Sequence, residues 1–137
     1  MLGLGINYIS ILAATIASFL LGWLWYGPLF GKQWMKLMGF KKRNMKSMKM
    51  SAGTAMILGF LSYLLIAYVL SLFINYFNAN TVLEGLQLGF WIWLGFIATT
   101  TMGSVLWENK SPKLYFLNNA YNLLSLEVMA VILSLLN

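Results

Sequence analysis

The sequence predicts an all-α integral membrane protein, with four transmembrane helices in two hairpins forming a compact bundle. Three observations lead there. Of 137 residues, 61% are hydrophobic and only 9% charged, whereas a soluble domain carries roughly 25% charged residues. The apolar residues fall into long runs, each close to the about 20 residues that a spanning helix needs. All the lysines and the arginine gather in two of the connections between those runs.

The first run covers about residues 6–26, "INYISILAATIASFLLGWLWY". It reads as a retained span rather than a cleaved leader. Its apolar region is too long, no basic residue precedes it, and it ends in Trp and Tyr rather than a small-residue cleavage site. Gly27-Pro28 is expected to end the helix, because Pro disfavours the helical region for its predecessor.

A basic amphipathic loop, 28–50, follows. Phe30, Trp34, Leu37 and Met38 share one side of its first part, with Lys32 and Lys36 elsewhere. Lys41, Lys42 and Arg43 continue the charge, then Lys46 and Lys49. This pattern suits a segment lying on anionic headgroups. Trp23, Trp25, Tyr26 and Trp34, with Trp107 and Tyr115 on the other hairpin, are expected at the membrane interface, where indole and phenol rings keep an apolar body inward and a polar tip wet.

The second span covers about 52–77, and the short polar turn "NYFNAN" connects it to a third at about 82–107. "TVLE" (Thr81 to Glu84) reads as a capping box opening that third helix. "SPK" places Ser111 at an N-cap and Pro112 at the first helical position of the fourth span, about 112–136. Seven of the nine cations lie between the first and second spans; Lys110 and Lys113 lie between the third and fourth. By the positive-inside rule both connections face the cytoplasm and both termini face outward. A bacterial inner membrane is the expected location.

Small residues recur at spacing four, as close helix packing in lipid requires. Gly22, Gly59, Gly85, Gly89, Gly95 and Gly103 are the expected packing positions, with Gly85-Gly89 the pair best suited to a contact between protomers. Glu127 falls near the midplane of the fourth span, where a carboxylate costs a few kcal/mol. It is either a proton or cation site, or a neutral acid bonded to a neighbouring helix. Asn118, Asn122 and Ser125 share a different face of the same helix. That face lies at the depth of Thr99, Thr100, Thr101 and Ser104 of the third helix, and together they can line a small polar cavity or simply bond the helices together.

The absence of Cys, His and Asp excludes disulfides, thiolate metal sites, Ser-His-Asp triads, most zinc sites and EF-hands. No cofactor, metal or catalysis is expected; an enzyme would have to rely on Glu108, Glu127, Tyr or Lys. The net charge of +6 sits between apolar runs, so the expected partner is anionic lipid and not nucleic acid.

"NYISILAATIASFLLGWLWYGPLFGKQWMKLMG" (Asn7 to Gly39), with its G-x-x-W-Y-G-P-x-F-G-x-x-W core, resembles the uncharacterised four-span membrane family known as domain of unknown function 1761. "SPKLYFLNNAYNLLSLEVMAVIL" is similar to that family's last helix. The resemblance implies a small four-span protein and no mechanism. The function expected from the residues is a non-catalytic packing or accessory component of a membrane assembly, as a homo-oligomer or within a larger complex. The alternative is a small oligomeric transporter or channel using Glu127 and the Asn/Thr face.

Overall fold

The computed structural model describes residues 6–39 and 50–136. Among these are five helices and no strand: α1 (Tyr8–Leu29), α2 (Gly31–Met38), α3 (Ala52–Tyr76), α4 (Val82–Leu106) and α5 (Pro112–Leu136). All but α2 are long and apolar enough to cross a membrane. A helix of 25 residues, the length of α3, α4 and α5, is about 37 Å long and exceeds the about 30 Å hydrocarbon core.

Each span begins with a local cap. The Asn7 side chain accepts from the amides of Ile9 and Ser10 at 3.1 and 3.3 Å, and its own amide donates to the Leu136 carbonyl at 2.7 Å. The start of α1 and the end of α5 therefore lie together at one end of the bundle. Ser51 accepts from the Thr54 amide at 3.2 Å. Thr81 accepts from the Glu84 amide at 3.1 Å, and its hydroxyl donates to the Glu84 carboxylate at 2.8 Å. Ser111 accepts from the Lys113 amide at 3.2 Å.

The end of α1 differs from the sequence expectation. Gly27-Pro28 does not stop the helix; both residues lie inside a π-helical turn, Trp25–Leu29, that carries α1 onward. The Phe30 amide closes this turn by donating to the Trp25 carbonyl at 2.8 Å. A wider turn of this kind tolerates the amide that Pro lacks. After Phe30 the chain enters α2, which ends at Gly39 in the left-handed region (φ 73°). Lys32 and Lys36 are exposed on α2. Lys41, Lys42 and Arg43 lie outside the described residues, with Lys46 and Lys49.

α5 is the most buried span and packs against α1, α3 and α4; α1 also packs against α3. The core runs along these contacts and includes Ile11, Ala14, Ala67, Leu70, Ile74, Met129, Ala130 and Leu133. Small residues permit the closest approaches, but not at all the expected positions. Gly22 faces the Tyr121 ring, Gly85 faces Ala130 and Ser134, and Gly89 faces Glu127. The expected packing positions Gly85 and Gly89 are thus filled by the chain's own α5, not left open as the pair best suited to a contact between protomers. Gly59 and Gly95 have no neighbouring atom within 4 Å of an added Cβ, and Gly103 meets only Trp107.

Candidate functional site

A second π-helical stretch, Trp93–Ala98, interrupts α4. Its carbonyls are satisfied by the three threonines that follow. Thr99 donates to the Gly95 carbonyl at 2.7 Å, Thr100 to Phe96 at 2.5 Å and Thr101 to Ile97 at 2.6 Å. The Tyr115 hydroxyl of α5 donates to the Ala98 carbonyl at 2.6 Å, and the Trp93 indole N–H donates to the Asn119 carbonyl at 3.0 Å. The irregular stretch is thus bonded within α4 by its own threonines and joined to α5 at the Ala98 carbonyl and the Trp93 indole. Such backbone is tolerated at membrane depth where protein or a cavity provides partners.

These ties hold open a cavity of about 870 Å³ at the end of the bundle opposite the Asn7–Leu136 contact. Its wall brings together Asn118 and Asn122 of α5 with Thr100, Thr101 and Ser104 of α4. Tyr26 at the end of α1, Trp34 of α2 and Trp107 and Tyr115 of the α4–α5 hairpin complete it. Tyr26 donates to the Asn118 side-chain oxygen at 2.7 Å and rests edge-on against Trp34 and Tyr121, at ring distances of 5.8 and 5.3 Å. Asn122 is half-buried, and its amide has no hydrogen-bond partner among the described residues. It thus presents two donors and an acceptor to the cavity.

Other expected residues go elsewhere. The Thr99 hydroxyl is spent on Gly95 and does not line the cavity. Ser125 turns to α1 and shares a short hydrogen bond with Ser18. Trp25 does not present a wet indole N–H. Its ring packs on Phe30 at 4.5 Å, and its Nε1 is buried with no partner among the described residues. Trp23 stays on the outer surface, 65% exposed. Glu127 lines neither this cavity nor the apolar cleft described below. Its Oε1 is buried against Gly89 with no partner among the described residues.

Three features of the site escape a reading by periodicity. Asn119 is 3% exposed and adjoins the Asn118/Asn122 stripe; its amide donates to the Tyr115 carbonyl at 3.1 Å, and its oxygen lies 3.2 Å from the Thr101 hydroxyl. Tyr121 donates to the Ser18 carbonyl at 3.0 Å and meets the Tyr63 hydroxyl at 2.6 Å, so with one proton per phenol Tyr63 is the donor in that second bond. At the mouth, Glu108 and Lys110 both line the cavity, and neither side chain has an ion-pair or hydrogen-bond partner among the described residues. The loop holding them turns through Asn109 (φ 56°), and the Lys110 amide donates to the Ser104 carbonyl at 2.9 Å. The arrangement offers amide groups deep in the cavity and one charge of each sign at its rim.

Comparison with known proteins adds a family. A family model described as "Protein of unknown function (DUF1761)" matches residues 9–134, nearly the full length of the chain. No curated protein and no solved structure matches the chain.

Proposed function

The chain belongs to this family of unknown function, and we propose that it is a non-catalytic membrane protein whose polar cavity binds a small polar molecule or headgroup at the bilayer surface. The observation that carries this reading is Asn122. Its amide lines the cavity and has no hydrogen-bond partner among the described residues, whereas the neighbouring Asn118 and Asn119 are both bonded. The amide is half-buried and open to the cavity, so a ligand with complementary groups can bond it. The cavity offers carboxamides and hydroxyls for recognition, with no nucleophile held against a base.

In this reading the cavity end faces the cytoplasm of a bacterial inner membrane, with both termini outside. Lys32, Lys36, Lys110 and Lys113 all lie at that end, which supports the orientation and a contact with anionic headgroups. A reporter enzyme fused after Asn137 is expected to be active only outside; cytoplasmic activity would contradict this topology. Assembly with a second copy or a larger complex is part of the reading, supported by Gly59 and Gly95, which face open space on the outer surface. A transport pathway joining Glu127 to the Asn face lacks geometric support, because Glu127 lines neither cavity.

Native mass spectrometry of the chain extracted in its own lipids tests the binding reading. One retained non-protein mass per chain is expected, lost in Asn122→Leu. A bare chain, or a variant that keeps the mass, would contradict it.

A further inference from the structure

Resting on the cavity reading above, we propose that the ligand is a zwitterionic phospholipid, its headgroup in the polar cavity and one acyl chain in an apolar cleft between α3 and α4. The cleft has a volume of about 310 Å³. Leu126 and Met129 of α5 form its floor, Leu70 and Phe73 of α3 one wall, and Ile92 and Ile97 of α4 the other. Asn122 lines both the cleft and the polar cavity, so a polar compartment passes into an apolar one at a single residue.

Depth agrees with this division. Asn122 lies ten residues past Pro112, about 15 Å along α5, and Met129 lies seventeen past it, about 25 Å along. The cavity thus reaches from the Glu108–Lys110 rim to near the middle of α5, and the cleft continues past that point toward the other end of the bundle. A water-soluble ligand would fill the first and leave the second empty. A lipid fills both, and its chain enters sideways from the bilayer past Leu65 and Val69, which are 64% and 39% exposed.

The charges at the rim select the headgroup. Lys110 provides a cation for a phosphodiester, and Glu108 an anion for an ammonium group, with no bond between the two to compete. The Trp34 and Trp107 rings in the same wall add aromatic faces that attract an ammonium. A purely anionic headgroup would meet Lys110 but be repelled by Glu108.

The test places the full chain in nanodiscs containing equal phosphatidylethanolamine and phosphatidylglycerol, followed by mild release and native mass spectrometry. One phosphatidylethanolamine per chain is expected, enriched about tenfold over phosphatidylglycerol, as one charge-assisted hydrogen bond allows. Glu108→Gln, in an exposed loop, should bring the enrichment close to parity. Val69→Trp, which obstructs the cleft but not the cavity, should abolish lipid retention while soluble glycerophosphoethanolamine still binds by calorimetry. Equal retention of the two lipids, or unchanged retention in Val69→Trp, would overturn the proposal. Glycerophosphoethanolamine binding without lipid retention in the unaltered chain leaves the cavity reading standing and removes the lipid. Binding of neither removes both.

Discussion

Gly89 of α4 lies so close to Glu127 of α5 that a Cβ at position 89 would collide with the Glu127 carboxylate oxygen; the carboxyl carbon itself would be 3.3 Å away. The Glu127 carboxyl is accommodated because a glycine leaves room for it. The space is shared with Ala130, 3.4 Å from the same point.

This relationship predicts a coupled pair. In Gly89→Ala the flexible carboxyl must turn away toward the bilayer, with a loss of about 1–3 kcal/mol. In a Glu127→Ala background the same substitution should cost little. Unfolding titrations in mixed micelles on the four chains of this cycle measure the coupling. Equal loss in both backgrounds would show that Glu127 is not what occupies the space.

Gly85→Ala should behave differently. Its added Cβ would meet Ser134 Oγ at 2.7 Å and the Ala130 backbone carbonyl at 3.0 Å. The hydroxyl can move but the carbonyl cannot, so α4 and α5 must separate. The expected loss is about 1–3 kcal/mol, and Ser134→Ala should restore only part of it in the same titration.

Tyr121 joins three helices through its hydroxyl, which bonds Ser18 of α1 and Tyr63 of α3. Tyr121→Phe removes both bonds. A loss of about 1 kcal/mol is expected, the usual size for hydrogen bonds between membrane helices. No change in the unfolding midpoint would mean that these bonds are made equally well in the unfolded chain.

Neighbouring asparagines separate structure from binding. Asn119 is buried and tied to Tyr115 and Thr101, so Asn119→Leu should destabilise the fold by about 1–3 kcal/mol. Asn122 has no partner among the described residues. Asn122→Leu should leave the unfolding midpoint unchanged and remove ligand retention. A destabilised Asn122→Leu would assign that residue to the fold.

The spans were legible because apolar run length and local caps are both written in consecutive residues; all four helices start and stop within about two residues of the expected positions, except at Pro28. There the rule for Pro assumes α geometry, and the π turn at Trp25–Leu29 escapes it. The cavity wall was legible in part, since helical spacing places Asn118 and Asn122 on one face and hydropathy sets the depth of Thr100, Thr101 and Ser104. Ser125 shares that spacing but meets Ser18, a choice made by how α1 lies across α5. Tyr26, Trp34, Trp107 and Tyr115 read as interface anchors because the same amphipathic rings serve a membrane surface and a cavity mouth. Nothing local separates Tyr121 from other aromatics; its partners lie 58 and 103 residues away.

The central claim is that water and polar ligands reach Asn122 through the cavity, and the chain's lack of cysteine makes this directly measurable. Single variants Lys110→Cys, Asn122→Cys and Glu127→Cys would be purified in lipid-stripped micelles and treated with a charged, water-soluble maleimide. Asn122→Cys should be labelled at a rate approaching that of Lys110→Cys at the rim, Glu127→Cys should stay unlabelled, and added phosphatidylethanolamine should slow Asn122→Cys alone. An Asn122→Cys variant as inert as Glu127→Cys would contradict it.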